Sequence, residues 1–378
     1  MANEIYPYPR HILRCAAETT YGTSALANTT FTTALEAEVD AYIPTINERP
    51  IMSPLRPGAK PYSSTVRATF SVTSEVPHVT LSTGGENPHC HALLTAAGFV
   101  RTEVTNGNFD TVFNFSGEDS NNDDKIATYT LQSNPTGSMT VQFDRFNEDQ
   151  SSAYIHKMTG ARGNWTLAFV AGETLKLTVE GAGLSSGAPA NAAITANQYS
   201  YDGVSNFSTA PTLSSQSPAV CLGVSFAIQE EGGDTYYGGG TAAMNNALRS
   251  FELNGNMNAV EDTTLQGSNG IKRVRLTPDA PFTASMQLEL VSASEFNFES
   301  LCNSNTLIKT DVYIVDPSSA ANVIQVSFQS VITEVSHANA DNMCVVDLSL
   351  QGVYEEVGSD GGGLAVADGV KIIWATMV

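Results

Sequence analysis

The sequence predicts an all-β fold with minor α content, arranged as two tandem β-sandwich or barrel domains, each with a short flanking helix. Three observations carry that expectation. Apolar residues recur with a period of two, helical signals are confined to two short stretches, and the two halves of the chain present the same order of elements. The length of 378 residues also exceeds what one hydrophobic core usually organises, so two domains are the natural starting point.

The alternation is clearest in Val66–Glu75. Val66, Ala68, Phe70 and Val72 share one parity, and Arg67, Thr69, Ser71, Thr73 and Glu75 share the other. Successive side chains of a strand point to opposite faces, so this segment reads as a half-buried strand with one wet face. The same period returns in Met139/Val141/Phe143, Trp165/Leu167/Phe169 and Leu175/Leu177/Val179. Later it recurs in Ile308/Val312/Ile314, Ile324/Val326/Phe328 and Val346/Leu348/Leu350. Clusters of Gly, Asn, Asp and Pro separate these runs, as turns require.

Helical signals are few. In Pro88–Phe99, Pro88 suits a helix start, Leu93, Leu94 and Ala97 supply an apolar stripe, and Gly98 supplies a stop. Glu295–Cys302 is a weaker candidate. Gly117–Lys125, Gly181–Ala196 and Gly358–Gly363 read as loops, being acidic and Asn-rich in the first case and rich in small residues in the second.

Repetition rests on the order of these elements. Asn47–Val76 reads as a polar loop with basic residues followed by an alternating strand, and Glu261–Val291 does the same. There Lys272, Arg273 and Arg275 precede a strand whose Ala284, Met286, Leu288 and Leu290 oppose Thr283, Ser285, Gln287 and Glu289. A short helix follows in each half, and each half closes on a strand ending in Gly, Leu175–Gly181 and Val346–Gly352. The expected organisation is an N-terminal arm (1–29), a first β domain (30–185), a linker (186–217), a second β domain (218–356) and a C-terminal segment (357–378).

Composition narrows the function. Acidic residues outnumber basic ones by 39 to 18, a formal charge of −21, which argues against binding nucleic acid by neutralising phosphates. It is compatible with letting a duplex pass, since like charge prevents adhesion. Charged residues are only 15%, so the polar surface comes mainly from Ser, Thr, Asn, Gln and Gly, which suits β surfaces and turns. Five widely spaced cysteines without a C-x-x-C pair read as scattered thiols of a protein assembled in a reducing cytoplasm. Neither a signal-peptide h-region nor a membrane-spanning apolar run is visible, and the expectation is a soluble protein without a membrane partner.

Catalytic and metal motifs lack their contexts. Gly183-Leu-Ser-Ser-Gly187 matches G-x-S-x-G, but it sits in a run of small residues instead of a strand-to-helix turn. His89-Cys-His91 lies at a helix end where i and i+2 diverge, with no second ligand pair. Asp119-Ser-Asn-Asn-Asp123 begins like a calcium loop, yet Asp124 stands where Gly is needed and Thr130 where the bidentate Glu belongs. No phosphate cradle is present, and no carboxylate pair is singled out for glycoside hydrolysis. The reading is of no enzyme, no cofactor and no metal.

The phrases His91-Ala-Leu-Leu-Thr-Ala-Ala-Gly-Phe99, Leu248-Arg-Ser-Phe-Glu-Leu-Asn-Gly-Asn256 leading to Thr283-Ala-Ser-Met-Gln-Leu-Glu-Leu290, and Met158-Thr-Gly-Ala-Arg-Gly-Asn-Trp-Thr-Leu167 follow a familiar order. With the closing Gly-ended strands, they resemble the major tail tube proteins of long-tailed, non-contractile bacteriophages, over about residues 30–185 and 245–355. The resemblance implies two tail-tube-like domains whose subunits form stacked rings around a channel that conducts DNA during ejection. The usual family member has one such domain and makes hexamers. Two domains per chain leave both trimeric pseudo-hexameric and hexameric rings open. Implied partners are other copies of the chain and other tail proteins such as the tail terminator, tape measure and distal tail protein, with DNA only in transit. The implied location is the virion tail, assembled in the host cytoplasm.

Within that picture, Arg49, Arg56, Lys60, Lys272, Arg273 and Arg275 are candidate contacts between rings, lying on polar, locally basic loops of an acidic chain. The wet faces of the two repeated strands, Thr69, Ser71, Thr73 and Glu75 in one and Ser285, Gln287 and Glu289 in the other, are candidates for the channel wall. Exposure on the outside of the tube is the competing placement. Other functional classes are a receptor-binding, tail-end or head-decoration module, and a polysaccharide-cleaving enzyme. The first usually shows many short repeats or an aromatic binding face, and the second needs a carboxylate pair.

Overall fold

A computed structural model of the chain describes residues 11–26, 32, 34–49, 59–81, 87–107, 109, 124–132, 135–146, 152–193, 216–221, 224–230, 236–237, 248–264, 270–289, 297–340, 343–353 and 369–377. The fold is all-β with minor α content, and its sheets are antiparallel. In the first half of the chain the elements are β1 (His11–Ala17), β2 (Glu36–Arg49), β3 (Ala59–Glu75), α1 (His91–Ala96), β4 (Phe99–Gly107), β5 (Asp124–Leu131), β6 (Met139–Phe146), β7 (Ser152–Val170), β8 (Lys176–Ser185) and β9 (Ala190–Ala193). The second half contributes β10 (Ser225–Glu230), β11 (Tyr236–Tyr237), β12 (Leu248–Asn254), β13 (Met257–Thr263), β14 (Ile271–Pro278), β15 (Thr283–Glu289), α2 (Phe298–Ser304), β16 (Leu307–Asp316), β17 (Ser319–Ala340), β18 (Met343–Gly352) and β19 (Val370–Thr376).

Both halves follow one pairing plan. In the first, β2 pairs with β3, β3 with β8, and β8 with the C-terminal part of β7. In the second, β12 pairs with β15, β15 with β18, and β18 with the C-terminal part of β17. The N-terminal parts of the long strands β7 and β17 pair instead with β6 and β16, which in turn pair with β1 and β10. Each long strand therefore serves two layers. Register shifts between Thr159 and Arg162, and between Ile332 and Glu334, mark where the strands pass from one layer to the other, the usual role of a bulge. The first half inserts the β4–β5 hairpin after its helix, and the second inserts the β13–β14 hairpin between β12 and β15.

The halves are not separate sheets. The end of β7 pairs with β12, from Thr166↔Asn254 to Val170↔Ser250. This seam makes one eight-stranded sheet in the order β2, β3, β8, β7, β12, β15, β18, β17. Phe169 and Phe251 face each other across the seam with centroids 4.9 Å apart, and Phe251 stacks in turn on Phe328 of the opposite layer. A pair of this kind adds about 0.5–1.5 kcal/mol beyond its burial. One continuous cluster of buried apolar side chains runs through both halves, including Phe70, Trp165, Leu253 and Trp374.

Several expectations hold in detail. In β3, Val66, Ala68, Phe70 and Val72 are buried while Arg67 and Thr69 are exposed, and β15 repeats the pattern with Ala284, Met286 and Leu288 buried. α1 falls inside its predicted stretch, α2 overlaps Glu295–Cys302 but runs on to Ser304, and each stops on a left-handed residue, Gly98 (φ +95°) and Asn305 (φ +50°). The closing glycines have a steric reason. A Cβ on Gly181 would lie 2.0 Å from the Arg162 carbonyl oxygen, and one on Gly352 would lie 2.1 Å from the Phe282 ring.

Other expectations are corrected. Asn47–Tyr62 and Glu261–Arg275 are not loops from end to end. Asn47 pairs with Tyr62 and Arg49 with Ala59, while β13 and β14 pair antiparallel with one register shift, between Asp262 and Thr263. In the second, charge hid a period of two, because the buried Val274 and Leu276 alternate with the exposed Arg273 and Arg275. Gly181–Ala196 is not a loop either: β8 runs on to Ser185 and β9 follows, the small residues permitting close strand approach. The segments read as an arm and a terminal tail each supply a strand, β1 against β6, and β19 between β17 and β5. Of the expected loop Gly117–Lys125, Asp124 and Lys125 instead open β5, while the Asp119–Asp123 and Gly358–Gly363 segments lie outside the described residues.

The buried face of β6 carries an ion pair. Asp144 is fully buried and accepts from Arg14 Nη2 at 3.0 Å and Gln142 Nε2 at 2.7 Å. Removing one partner strands a buried charge, so Asp144→Ala should lower unfolding free energy by about 3–5 kcal/mol, whereas Arg14→Met with Asp144→Leu should cost far less. Chemical denaturation checks this. Equal losses in the two variants would show that the pair is solvated.

Candidate functional site

Cross-strand partners share a face, so the registers trace the polar side of the eight-stranded sheet directly. One transverse row reads Glu36, Thr73, Thr178, Thr166, Asn254, Thr283 and Gln351, each opposite the next on neighbouring strands. It crosses the seam without a break. The two repeated strands therefore present their wet faces on the same side of one sheet. Thr69, Ser71, Thr73 and Glu75 lie on one half of it, and Ser285, Gln287 and Glu289 on the other. Thr69 and Ser285 are exposed and the rest are half-buried.

This face is rich in hydroxyls and acids. Glu38 lies opposite Ser71, Ser71 opposite Glu180, Glu252 opposite Ser285, and Ser349 opposite Glu334. Neighbours hold one another in place: Thr73 and Thr178 hydroxyls are 2.9 Å apart, and Gln287 Nε2 donates to Asp347 Oδ1 at 2.8 Å. Its two lysine and arginine members in β3 and β8 are engaged. Arg67 Nε lies 3.0 Å from Glu261 Oε2, and Lys176 pairs with Glu173, which raises its pKa.

The hairpin β13–β14 forms an arm that leaves the second half and seats on the first. Gly255 N donates to the Trp165 carbonyl, and Met257 N donates to Asn164 Oδ1 at 2.9 Å. Farther out, Val274 N donates to the Tyr21 hydroxyl at 2.6 Å, while Arg162 donates to the carbonyls of Gly137 and Val274 and lies over the Tyr21 ring at 4.8 Å. Tyr21 stands on a turn clamped by Glu18, whose carboxylate accepts from Ser138, Thr140, Gly22 and Gly160, all at 2.8 Å. Burial raises the Tyr21 pKa, partly offset by this hydrogen bond and by Arg162. No motif announces the clamp in sequence, since Glu18 and Gly160 are far apart along the chain.

Of the candidate basic contacts, Arg273 and Arg275 both pair with Asp262 across the hairpin, at 2.5 and 2.7 Å. Those bonds hold the Asp262 pKa down. Lys272 is exposed beside them, and no ion pair involves it among the described residues. Arg49 and Lys60 sit near the paired ends of β2 and β3, and Arg56 lies outside the described residues.

The motifs with possible chemistry are occupied otherwise. Ser185 ends β8 and exchanges hydrogen bonds with the Gly187 backbone. His89 Nε2 meets the Glu75 carbonyl, and His91 Nδ1 meets the Tyr129 hydroxyl at 2.9 Å. Burial pushes the His91 pKa down to about 4 and the Cys90 thiol up to about 12. Among the described residues no three His, Cys, Asp or Glu side chains come together as a metal site, and no helix is long and apolar enough to cross a membrane. No protein-family model and no curated protein matches the chain.

The arm's anchorage is testable. Tyr21→Phe leaves the Val274 amide without its partner, at a cost of about 1–3 kcal/mol. Hydrogen exchange at Val274 should accelerate while protection in β6 and β16 is retained. Unchanged exchange at Val274 would show that Tyr21 does not hold the arm.

Proposed function

We propose that the protein is a non-catalytic structural subunit of stacked rings, the tail tube of a long-tailed bacteriophage, whose lumen conducts DNA during ejection. The observation that carries this reading is the single sheet spanning both halves, buried on one face, acidic and hydroxyl-rich on the other, and at each end an edge without a strand partner among the described residues. Such a sheet is complete only when its edges are covered, and closure into a ring covers every edge at once.

The polar face suits a channel wall. Hydroxyls and amides hydrate well, and a wall whose cations are already paired offers passing phosphates little to grip. Three copies would bring three times eight strands. At about 4.8 Å between strands and a tilt of about 40°, a closed wall of that size has a backbone radius of about 24 Å. Each chain then supplies two tail-tube-like domains to a pseudo-sixfold ring. The basic side chains on the arms, Lys272 foremost, are suited to the acidic body of the next ring, alongside the tail terminator, tape measure and distal tail protein as end partners. On this reading the protein belongs to the virion tail and assembles in the host cytoplasm.

Purified protein should form rings or tubes on concentration, visible by negative-stain microscopy. In those tubes Thr69→Cys and Ser285→Cys should resist a maleimide too bulky to enter the lumen. A monomer at every concentration would refute the tube reading, and ready labelling of both cysteines would put these faces outside.

A further inference from the structure

The internal seam has a counterpart that the single chain leaves open. Gly181 lies opposite Phe70, and Gly352 N donates to the Phe282 carbonyl. Taking these two pairs as equivalent matches Thr178 with Ser349 and Thr73 with Ser285. Through the same registers, Thr166 of β7 matches Glu334 of β17, and Glu252 of β12 matches Glu36 of β2. In the first half that edge of β7 is covered by β12. The matching edge of β17, from Glu334 to Ala338, has no strand partner among the described residues, and neither does the outer edge of β2.

The arms show the same asymmetry. The second-half arm buries Met257, Val274 and Leu276 against the first half. The first-half arm, the outer part of β2 and β3, instead exposes Tyr42 (37%), Ile43 (38%) and Ile46 (67%), and Leu35 at its base is 47% exposed. The groove beneath the second-half arm is lined by Glu38, Ser71, Glu180, Met257 and Asn258. Its counterpart in the second half is lined by Asn254, Thr283, Ser285, Gln351 and Thr333, with no arm residue among the described residues that line it.

We propose that the β2 edge of one copy pairs antiparallel with the β17 edge of the next in the register of the internal seam, and that the first-half arm covers the next copy's open groove. The partner is thus a second copy of this chain, and the inference rests on the ring reading above. Transferring the register sets Glu36 opposite Ser336, Ala37 opposite Val335, and Leu35 opposite His337, the positions of Phe251 and Phe169 inside the chain. It also sets Glu38 opposite Glu334. Like charges facing one another oppose pairing and are screened by salt, so the seam between copies should form more readily at higher ionic strength. The seam inside the chain, with Asn254 opposite Thr166 at that place, should not respond.

Cysteine pairs at Glu36 and Ser336 test this, in a Cys344→Ser background because Cys344 is exposed. Directly opposed residues of antiparallel strands fall within disulfide reach. Within one chain these two positions stand at opposite ends of the eight-stranded sheet, about 34 Å apart at about 4.8 Å per strand, so any bridge between them joins two copies. Under mild oxidation the assembled Glu36→Cys/Ser336→Cys protein should give covalent oligomers, and neither single variant should give chains beyond a dimer. Glu38→Cys/Ser336→Cys, displaced by two residues, should link far less. If assemblies form but the displaced pair links as well as the predicted one, or neither links, the seam is wrong while the ring reading stands. If scattering shows no assembly at all, both fall.

Discussion

Pairing between β7 and β12 is the interaction on which the rest of the architecture depends. A sheet edge presents a row of unpaired amides and carbonyls, and in a chain of two similar halves each half has one such edge on either side. Joining one edge of the first half to one of the second removes two of the four, aligns both polar faces on one side, and lets a single core run beneath them. The Phe169–Phe251 contact closes the apolar side of this seam, and Asn164 bonded to Asn254 at 3.0 Å secures the polar side. The arm carried by β13 and β14 then lies over the join, held by Tyr21 and Arg162.

That arrangement separates two kinds of polar interaction. The buried Asp144 and the half-buried Glu18 are engaged by several donors each and position elements that are distant in sequence. Most acids on the wet face are exposed, Glu38, Glu180, Glu252 and Glu334 among them, and Arg67 and Lys176 beside them are paired within the chain. A surface of this sort contributes little to folding, since exposed pairs are worth little. Its value lies in what it repels or hydrates, which is why a conduit fits it better than a binding site.

The sequence made the parts legible and left their joins hidden. Alternation in Val66–Glu75 and Thr283–Glu289 identified two strands and their buried faces because each period is local. Gly98 marked the end of α1 for the same reason. Arg273 and Arg275 read as loop charges because Asp262, which pairs with both, lies on the facing strand of a hairpin. β8 was cut short at Gly181, where glycine allows close approach instead of ending the strand. The seam itself joins residues about as far apart as Leu167 and Leu253, and nothing local distinguishes a strand that will pair within its own half from one that crosses. The terminal strands β1 and β19 were missed on the same ground, since their partners in β6, β17 and β5 are remote.

The central claim is that the polar face of the eight-stranded sheet lines a closed channel. Cryo-electron microscopy of the assembled protein, reconstructed to a resolution that separates strands, tests it most directly. The account predicts an unbroken sheet around the axis, with the Thr73–Thr178–Thr166–Asn254 row directed inward. A reconstruction in which that row faces the outer surface, or in which the sheets of neighbouring copies do not meet, would contradict it.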